Sequence, residues 1–360
     1  MSLAQPKRIL IIKLRHHGDV LLSTPVVDAL KTRFPDCEID MLVYAGTEQL
    51  IADNPQIAQI FTIDRNWKKL GVFKQLACEK NLLSKLKARD YDWAFNLSDQ
   101  WRAAVIAKLC ARCSVGLDCI KRDGFWWRFC HDFINHELDT SHHIVENQLN
   151  ILAPLIQPED VADAKVRLWV AQDARESMRQ KLREQGWNGE DYVLMHPGAR
   201  WHFKCWEDGK NAAIVQLLLN SGQNVVLTAS PDTVEQYMLQ EIIGRLNIPE
   251  GGKIWVLSGC LSLRELVAAI EGAKLFIGVD SAPMHIAAAL DKPQIALFGA
   301  SWVDKWRPYS EQAEVIYAGD YAELPHPDSI DTNDPTRLLK AIPLQDVWDK
   351  ISAKLEALEA

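Results

Sequence analysis

The stretch Phe276–Phe298 reads FIGVDSAPMHIAAALDKPQIALF and decides the fold. An apolar run typical of a buried strand leads into the turn Asp280-Ser281-Ala282, then a short helical segment carrying His285 and a second apolar run. A strand, a helix and a strand in this order form one unit of a parallel sheet. Parallel sheets bind ligands at the carboxyl ends of their strands, where helix N-termini present free N–H groups. The turn therefore predicts a phosphate site.

Short apolar runs separated by helix-period segments recur along the whole chain, as in sheets wrapped by helices. In the first half, the predicted strands are Ile9–Lys13, Ile39–Tyr44, Ile60–Ile63, Trp93–Leu97 and Ser114–Leu117. In the second half they are Tyr192–Met195, Val225–Thr228, Ile254–Leu257, Leu275–Gly278 and Gln294–Phe298. The predicted helices of the first half are Thr24–Phe34, Val72–Arg89, Trp101–Ala111 and His142–Leu155. The pattern predicts two α/β domains with a site in the cleft between them.

The domain boundaries follow from a pause in this alternation. Residues 158–174 contain Pro158, several acids and one short apolar run, which is typical of a linker. We therefore expect an N-terminal domain over 1–157, a linker over 158–174 and a second domain over 175–340. Residues 341–360 carry apolar side chains at helical spacing and predict a C-terminal amphipathic helix.

Composition and charge narrow the class of protein. A chain of 360 residues with 48% hydrophobic residues exceeds one usual core. It has no apolar stretch of about 18 residues and no signal-peptide pattern at Met1–Arg8, so we expect a cytoplasmic protein with reduced thiols. The net charge of -8 divides into +2 for residues 1–150 (20 Lys and Arg, 18 Asp and Glu) and -10 for the remainder (20 against 30). This balance argues against nucleic-acid binding, while the basic half suits an anionic acceptor or a membrane surface.

The segment after the first strand, Lys13–Pro25, contains the first candidate for chemistry. Gly18 is expected to allow a tight turn that sets Asp19 at the carboxyl end of the strand, with Thr24 near the start of a helix. A carboxylate there could take a proton from a hydroxyl group. Asp19 could equally be a helix cap, and its position alone does not decide between these two roles.

The loop His196–Trp206 follows the first strand of the second half and is the second candidate. Lys204 is suited to a phosphate as a point charge, and Arg200 could bind one in bidentate fashion. Trp201 or Trp206 could stack on a sugar or a base. The alternative is a surface loop anchored by a buried Trp206.

The turn at Asp280 is the third candidate. Asp280 could cap the following helix, which would leave Ser281 and the next N–H groups free for a diphosphate. His285 lies on the same helix, where a lone histidine is often a packed core residue. Pro283 has no N–H, so this cradle offers one donor fewer and more of the phosphate charge should fall to Lys204.

Basic and aromatic residues in the loops of the first half predict an acceptor cradle. They are Arg65, Lys121, Arg122 and Arg128, with Phe125–Trp127 among them. These residues could also be ordinary loop charges, or Phe125–Trp127 could rest on a membrane surface.

Metal and nicotinamide sites are disfavoured. The triplet Asp90-Tyr91-Asp92 reads as a turn between helix and strand, and Cys110 and Cys113 fall on different elements, so their thiols should not converge on zinc. The turn after the first strand also lacks the glycine spacing of a dinucleotide-binding fold.

Two segments resemble signature motifs of the bacterial lipopolysaccharide core heptosyltransferases, with the loop Gly198–Trp206 between them. They are Gly18-Asp19 with Leu21, Leu22, Thr24 and Pro25, and Asp280–Ala288. Residues 96–101 and His17-Gly18-Asp19 are most similar to the heptosyltransferase III branch. The resemblance covers residues 8 to about 310 and implies a GT-B type α/β fold, with two Rossmann-like doubly wound domains facing across a cleft.

The resemblance also implies an activity. It is inverting, metal-independent transfer of heptose from ADP-L-glycero-β-D-manno-heptose to a heptose of the lipopolysaccharide inner core, at the cytoplasmic face of the inner membrane. ADP-heptose would be a substrate, with no cofactor. Asp19 would be the catalytic base, Lys204 would hold donor phosphate and Asp280 would bind the heptose. The expected donor contacts also include Thr24, Gly198, Arg200, Ser281, Ala282 and His285; the expected acceptor contacts are Arg15, His17, Arg65, Lys121, Arg122 and Arg128.

Several alternatives stay open on the sequence. They are a heptosyltransferase I or II acting on Kdo or on the first heptose, a nucleotide-sugar epimerase of the same fold, and a non-catalytic nucleotide-sugar binding protein.

Overall fold

The structure, a computed structural model, describes residues 5–118, 122, 124–157, 161, 163–332 and 334–359. The chain divides into two compact units, Met1–Trp169 and Val170–Ala360. The division falls inside the segment predicted as a linker. Among the described residues, no helix is long and apolar enough to cross a membrane.

Unit 1 is a six-stranded parallel sheet with helices. Its strands are β1 (Arg8–Lys13), β2 (Glu38–Tyr44), β3 (Gln59–Ile63), β4 (Tyr91–Asn96), β5 (Ala111–Asp118) and β6 (Phe133–His136). Its helices are α1 (His17–Leu21), α2 (Thr24–Arg33), α3 (Val72–Lys87), α4 (Trp101–Cys110), α5 (Phe125–Phe129) and α6 (Ile144–Asn150). Short 3₁₀ turns span Thr47–Leu50 and Arg65–Lys69.

Unit 2 repeats this plan. Its strands are β7 (Val193–His196), β8 (Val225–Ala229), β9 (Ile254–Ser258), β10 (Leu275–Val279), β11 (Gln294–Phe298) and β12 (Ala313–Tyr317). Its helices are α7 (Gln172–Arg183), α8 (Asp208–Asn220), α9 (Thr233–Ile243), α10 (Leu263–Gly272), α11 (Ala282–Ala289), α12 (Val303–Trp306) and α13 (Leu344–Glu359). Its 3₁₀ turns span His202–Lys204, Ala318–Asp320, Pro327–Ser329 and Leu338–Ala341.

The two sheets share one strand order. Unit 1 runs β3-β2-β1-β4-β5-β6, and unit 2 runs β9-β8-β7-β10-β11-β12, so each sheet has the doubly wound order 3-2-1-4-5-6. All neighbouring strands pair in parallel, for example Ile9 with Ile39 and with Trp93. In such a sheet the strand order reverses between the first and fourth strands, and ligands bind at the carboxyl ends of the strands there. The switch points are therefore β1/β4 and β7/β10.

The central strands are apolar on both faces, because helices cover each sheet on both sides. Ile9 and Ile11 pack with α2 on one face, while Leu10 and Ile12 pack with α3 and α4 on the other. All four side chains are fully buried. Each such burial contributes roughly 1.5–3 kcal/mol, which fixes the strands that carry the polar residues at their ends.

The predicted α/β class and all ten predicted strands are confirmed, but two strands were missed. These are the edge strands β6 and β12, whose side chains are mostly half-buried or exposed and so lack a continuous apolar run. The predicted tight turn at Gly18 is wrong, because Gly18 lies inside helix α1 without a positive φ. The predicted helix His142–Leu155 is also shorter, ending as a regular helix at Asn150.

Candidate active site

Asp19 lies at the switch point of unit 1, six residues after the end of β1. It occupies the third position of α1, and its Oδ2 accepts a hydrogen bond from the backbone N–H of His16 at 3.3 Å. The carboxylate therefore does cap α1. This bond is long and Asp19 is only half-buried, so the group also remains accessible to a ligand.

Lys13 is a residue of this site that the sequence reasoning missed. It ends β1, is 4% exposed, and its Nζ donates to the carbonyl oxygen of Leu97 at 3.2 Å. Burial lowers the pKa of Lys13, whereas the nearby charges of Asp19 and Asp99 raise it. In the sequence, Lys13 could have been recognised as a lysine in the last position of an otherwise apolar strand. It brings a cation to the switch point, next to Asp19.

Three of the predicted acceptor cations meet around Asp99, at the end of β4. Arg15 Nη2 is 2.9 Å from Asp99 Oδ2, and Arg122 Nε donates to the Asp99 carbonyl oxygen at 2.8 Å. Arg65 Nη2 donates to the carbonyl oxygen of Arg15 at 3.2 Å. We call Arg15, Arg65, Asp99 and Arg122 the arginine cluster. It concentrates positive charge at the carboxyl edge of the sheet, as an anionic ligand would require.

The other predicted acceptor residues are placed differently. Burial lowers the pKa of His17, and the nearby positive charge of Arg65 lowers it further. The ring is therefore neutral at pH 7. Arg128 pairs with Asp118 at the end of β5, at 3.2 Å. Lys121 lies outside the described residues.

At the switch point of unit 2, Lys204 and Asp280 form an ion pair. Lys204 Nζ lies 2.5 Å from Asp280 Oδ2, and Ser301 Oγ donates to the same oxygen at 2.6 Å. The side chains of Lys204 and Asp280 are only 16% and 7% exposed. Burial raises the pKa of Asp280, but Lys204 and Ser301 outweigh it and hold that pKa below its usual value. The sequence reasoning missed Ser301, although it follows β11 much as Asp280 follows β10.

Packing of the loop after β7 positions Lys204. A side chain at Gly198 would meet the Glu235 carboxylate, with Cβ 2.6 Å from Oε2, so a larger residue there would have to displace Glu235. At the other end Trp206 is fully buried and anchors the loop, as one of the two alternatives for this loop predicted. The Trp201 ring makes cation–π contacts with both cations of the loop, Lys204 Nζ at 5.2 Å and Arg200 Cζ at 5.8 Å from its centroid. Trp201 therefore orients two cations and is itself half-buried.

Helix α11 starts beside this ion pair. Its N-cap residue is Ser281, so the prediction that Asp280 caps the helix is wrong: the Asp280 carboxylate is bound by Lys204 and Ser301 instead. Ser281 and Ala282 are half-buried, with Pro283 next in the helix. His285 is 5% exposed and lies near enough to Asp280 to contribute to the lowering of the Asp280 pKa.

The geometry gives no support to Thr24 as a donor ligand. Thr24 is fully buried in unit 1, where its hydroxyl group donates to the carbonyl oxygen of Leu21 at 2.9 Å and accepts from the N–H of Arg167 at the same distance. Both hydrogen-bonding roles of the hydroxyl are occupied within the fold. Thr24 therefore holds the residue 165–167 segment against α2.

No cluster of three or more His, Cys, Asp or Glu side chains suited to a metal ion occurs among the described residues. Asp90 and Asp92 lie at the amino end of β4, where each pairs with Arg112, at 2.6 and 3.3 Å. Cys110 and Cys113, on α4 and β5, are both buried free thiols, and burial raises the pKa of each to about 11.

Two doubly wound parallel sheets, each with polar residues at its switch point, form a fold of the GT-B type. The chain belongs to glycosyltransferase family 9 (heptosyltransferase), whose family model matches residues 80–336. It is 37% identical to lipopolysaccharide heptosyltransferase 3 of Escherichia coli over 93% of this chain and 95% of that protein. The resemblance and enzyme class predicted from the sequence are thereby confirmed.

Solved structures share the fold over nearly the whole chain. A family 9 glycosyltransferase from Veillonella parvula superposes with a TM-score of 0.83 at 21% identity, covering 98% of this chain and 97% of that one. E. coli ADP-heptose lps heptosyltransferase II gives 0.77 at 22% identity, covering 98% and 100%. These likenesses establish the fold, while the role of each site residue stays a prediction.

Proposed function

We propose that this protein transfers heptose from ADP-L-glycero-β-D-manno-heptose to a heptose of the lipopolysaccharide inner core, with inversion at the anomeric carbon. The identity of 37% to a heptosyltransferase 3 across almost the whole chain supports this reaction. It favours the third, branching heptose, added to the second heptose, over the reactions of heptosyltransferases I and II.

The observation that carries the proposal is the Lys204–Asp280–Ser301 cluster at the switch point of unit 2. A sugar nucleotide brings phosphate oxygens and sugar hydroxyl groups. Lys204 would bind the diphosphate, assisted by Arg200 and the N–H groups at Ser281 and Ala282. The ionised carboxylate of Asp280 can only accept hydrogen bonds, so it would bind heptose hydroxyl groups.

Asp19 would act as the base of the transfer. In-line attack by an acceptor hydroxyl group on C1 of the heptose forms the new glycosidic bond and expels ADP. The hydroxyl proton passes to the Asp19 carboxylate, while Lys204 and its neighbours stabilise the charge that develops on the diphosphate. We propose that these groups suffice without a divalent metal.

The arginine cluster would bind the phosphorylated inner core, which is anionic. Its cations lie at the same carboxyl edge of sheet 1 as Asp19, so a bound acceptor would meet the base directly. Since that acceptor is anchored in a membrane, we further propose that the protein works at the cytoplasmic face of the inner membrane, as a peripheral protein.

Mass spectrometry of lipopolysaccharide core from a deletion strain tests the assignment. We expect a core that lacks one branch heptose and is otherwise extended, restored by the wild-type gene. A core truncated at Kdo or at the first heptose would instead assign heptosyltransferase I or II. The purified protein must also release ADP from ADP-heptose only when acceptor is present, since turnover without acceptor would indicate an epimerase and no turnover a binding protein.

A further inference from the structure

Unit 1 exposes far more apolar surface than unit 2. Of the 16 large apolar side chains exposed among the described residues, 11 lie between positions 70 and 133. Nine of them lie on three helices and form what we call the docking face: Val72, Phe73 and Leu76 on α3, Trp101, Val105 and Leu109 on α4, and Phe125, Trp126 and Phe129 on α5. Phe73 is 89% exposed and Phe125 73%. A patch of this extent marks an interaction site.

The docking face is continuous from one helix to the next. Leu76 and Leu83 of α3 line an apolar groove of about 450 Å³ together with Trp101, Val105 and Leu109 of α4. The Trp101 ring in turn lies edge-on to that of Trp127 in α5, with centroids 5.5 Å apart. The three helices are therefore neighbours, and α5 meets α4 through the buried Trp127.

The docking face is also strongly basic. Residues 65–87 contain seven Lys and Arg (65, 68, 69, 74, 80, 85 and 87) against one acid, Glu79, which pairs with Arg102 at 2.6 Å. All six of these lysines are exposed. Lys80 and Lys87 follow Phe73 at spacings of seven and fourteen, so they share its side of α3. Apolar side chains flanked by lysines are the pattern of a helix that lies in a membrane interface.

The docking face adjoins the arginine cluster. Arg122, which donates to the Asp99 carbonyl oxygen, has its guanidinium 5.7 Å from the Trp101 ring centroid. α4 begins five residues after β4 ends, at the same carboxyl edge as Asp19. A surface that held this face would therefore hold the acceptor region close to itself.

We infer that the docking face binds the surface of an anionic phospholipid bilayer. Phe73, Leu76 and the aromatic side chains of α5 enter the interface, while the lysines bind lipid phosphates. A two-fold pairing with a second copy would instead bring the same basic segments together, seven cations facing seven, and like charges would oppose it. The inference rests on the membrane location proposed above, but not on the identity of the acceptor.

Co-sedimentation of the full chain with lipopolysaccharide-free vesicles tests this inference. We expect binding to phosphatidylethanolamine vesicles containing phosphatidylglycerol, weakened by high salt, and little binding to pure phosphatidylcholine vesicles. K80E/K87E should lower the partition coefficient at least about tenfold, because each lysine near an anionic surface contributes about fivefold. F73S/L76S should lower it by a similar factor, because it removes two of the apolar side chains that enter the interface. Both variants should unfold at the same temperature as the wild type, since all four substituted side chains are exposed.

Matched variants of unit 2 serve as controls. I248S/L358S changes two apolar side chains that are 49% and 45% exposed, and R179E/R183E reverses two exposed cations. Both should bind vesicles like the wild type. Equal loss in these controls, or unchanged binding by both docking-face variants, would overturn the inference. So would a wild-type dimer that F73S/L76S converts to monomer while vesicle binding persists, because the face would then belong to a second copy. Because the vesicles carry no acceptor, a failed heptose transfer leaves this result unaffected.

Discussion

Two aspartates stand at the two switch points, and their partners suit them to different tasks. Asp280 is bound by an ammonium group and a hydroxyl group within 2.6 Å, so it is held ionised and fixed in place. Asp19 has one long contact, to the His16 N–H at 3.3 Å, and stays half-buried. A general base must be free to approach the hydroxyl group from which it takes a proton. The contrast supports Asp19 as base and Asp280 as a binding group.

Asp19→Ala should keep the affinity for ADP-heptose and lower the transfer rate by about 10²- to 10⁴-fold, because a general base acts on the acceptor. Asp19→Asn separates the base from the helix cap, since its amide oxygen still accepts the His16 N–H. Calorimetric titration with ADP-heptose and a coupled assay of ADP release measure the two quantities. Near-normal transfer by Asp19→Asn would leave Asp19 as a cap only.

Lys204→Ala should weaken ADP-heptose binding by roughly 10- to 100-fold, the effect of losing a charge-assisted contact. It also leaves Asp280 buried without its cation, so the free energy of unfolding should fall and must be measured in parallel. Arg179→Ala, which removes an exposed cation of the same unit, is the control. The affinities of both variants for ADP-heptose are measured by titration at a temperature where both are folded. Equal affinities would remove Lys204 from the donor site.

At the scale of elements, the segment before unit 2 is fastened to α2 by buried polar contacts. Asp28 accepts from the Lys165 N–H and from Arg167 Nε, both at 3.1 Å, and from Gln56 Nε2 at 3.0 Å. Asp28 is 4% exposed. Burial raises its pKa, but these donors outweigh burial and lower it. Part of the segment predicted as a linker is therefore a strap on unit 1.

Asp28→Ala should release this strap and speed tryptic cleavage after Lys165 and Arg167 by roughly 10-fold or more, because hydrogen bonds to a charged group are lost. Asp36→Ala, at an exposed aspartate of the same unit, should leave cleavage unchanged. Mass spectrometry of timed digests gives the rates. Equal rates in the two variants would mean that packing alone holds the segment.

The sequence predicts elements well where burial is two-sided and poorly elsewhere. Ten strands were recognised because apolar runs are required between two layers of helices. Strands β6 (FINH) and β12 (AEVIY) escaped because polar residues interrupt their short apolar runs, whereas the other two edge strands, β3 and β9, were recognised. Lys13 and Ser301 escaped for another reason: their importance comes from side chains distant in sequence, Asp19 and Asp280, and no local pattern records such a meeting.

At the scale of the whole molecule, the same topology occurs twice but its switch points differ in charge. In unit 1 the arginine cluster and Lys13 lie at the same carboxyl edge of the sheet as Asp19, and in unit 2 one lysine is paired with Asp280. The sequence anticipated this division through its +2 and -10 halves. It could not anticipate which cations meet, because Arg15, Arg65 and Arg122 come from three separate loops.

Hydrogen exchange tests whether unit 2 binds the donor and unit 1 binds the acceptor. ADP-heptose should slow amide exchange in residues 196–206 and 280–290 of unit 2, and leave residues 13–24 of unit 1 unchanged until acceptor is added, because the donor contacts proposed above lie in unit 2. Mass spectrometry of peptides from both units gives the comparison. Protection of residues 13–24 by ADP-heptose alone, as strong as in unit 2, would place donor contacts in unit 1.

In the donor site proposed above, the Lys204–Asp280 pair would also select among ligands. An anion that carries phosphate alone must draw Lys204 away and leave a carboxylate that is 7% exposed without its cation, which is unfavourable. A ligand that offers sugar hydroxyl groups as well compensates Asp280 in the same step. With the donor-site roles proposed above, charge balance would favour ADP-heptose over ATP, ADP and free phosphate, and ADP parted from its sugar would be bound less well than the donor.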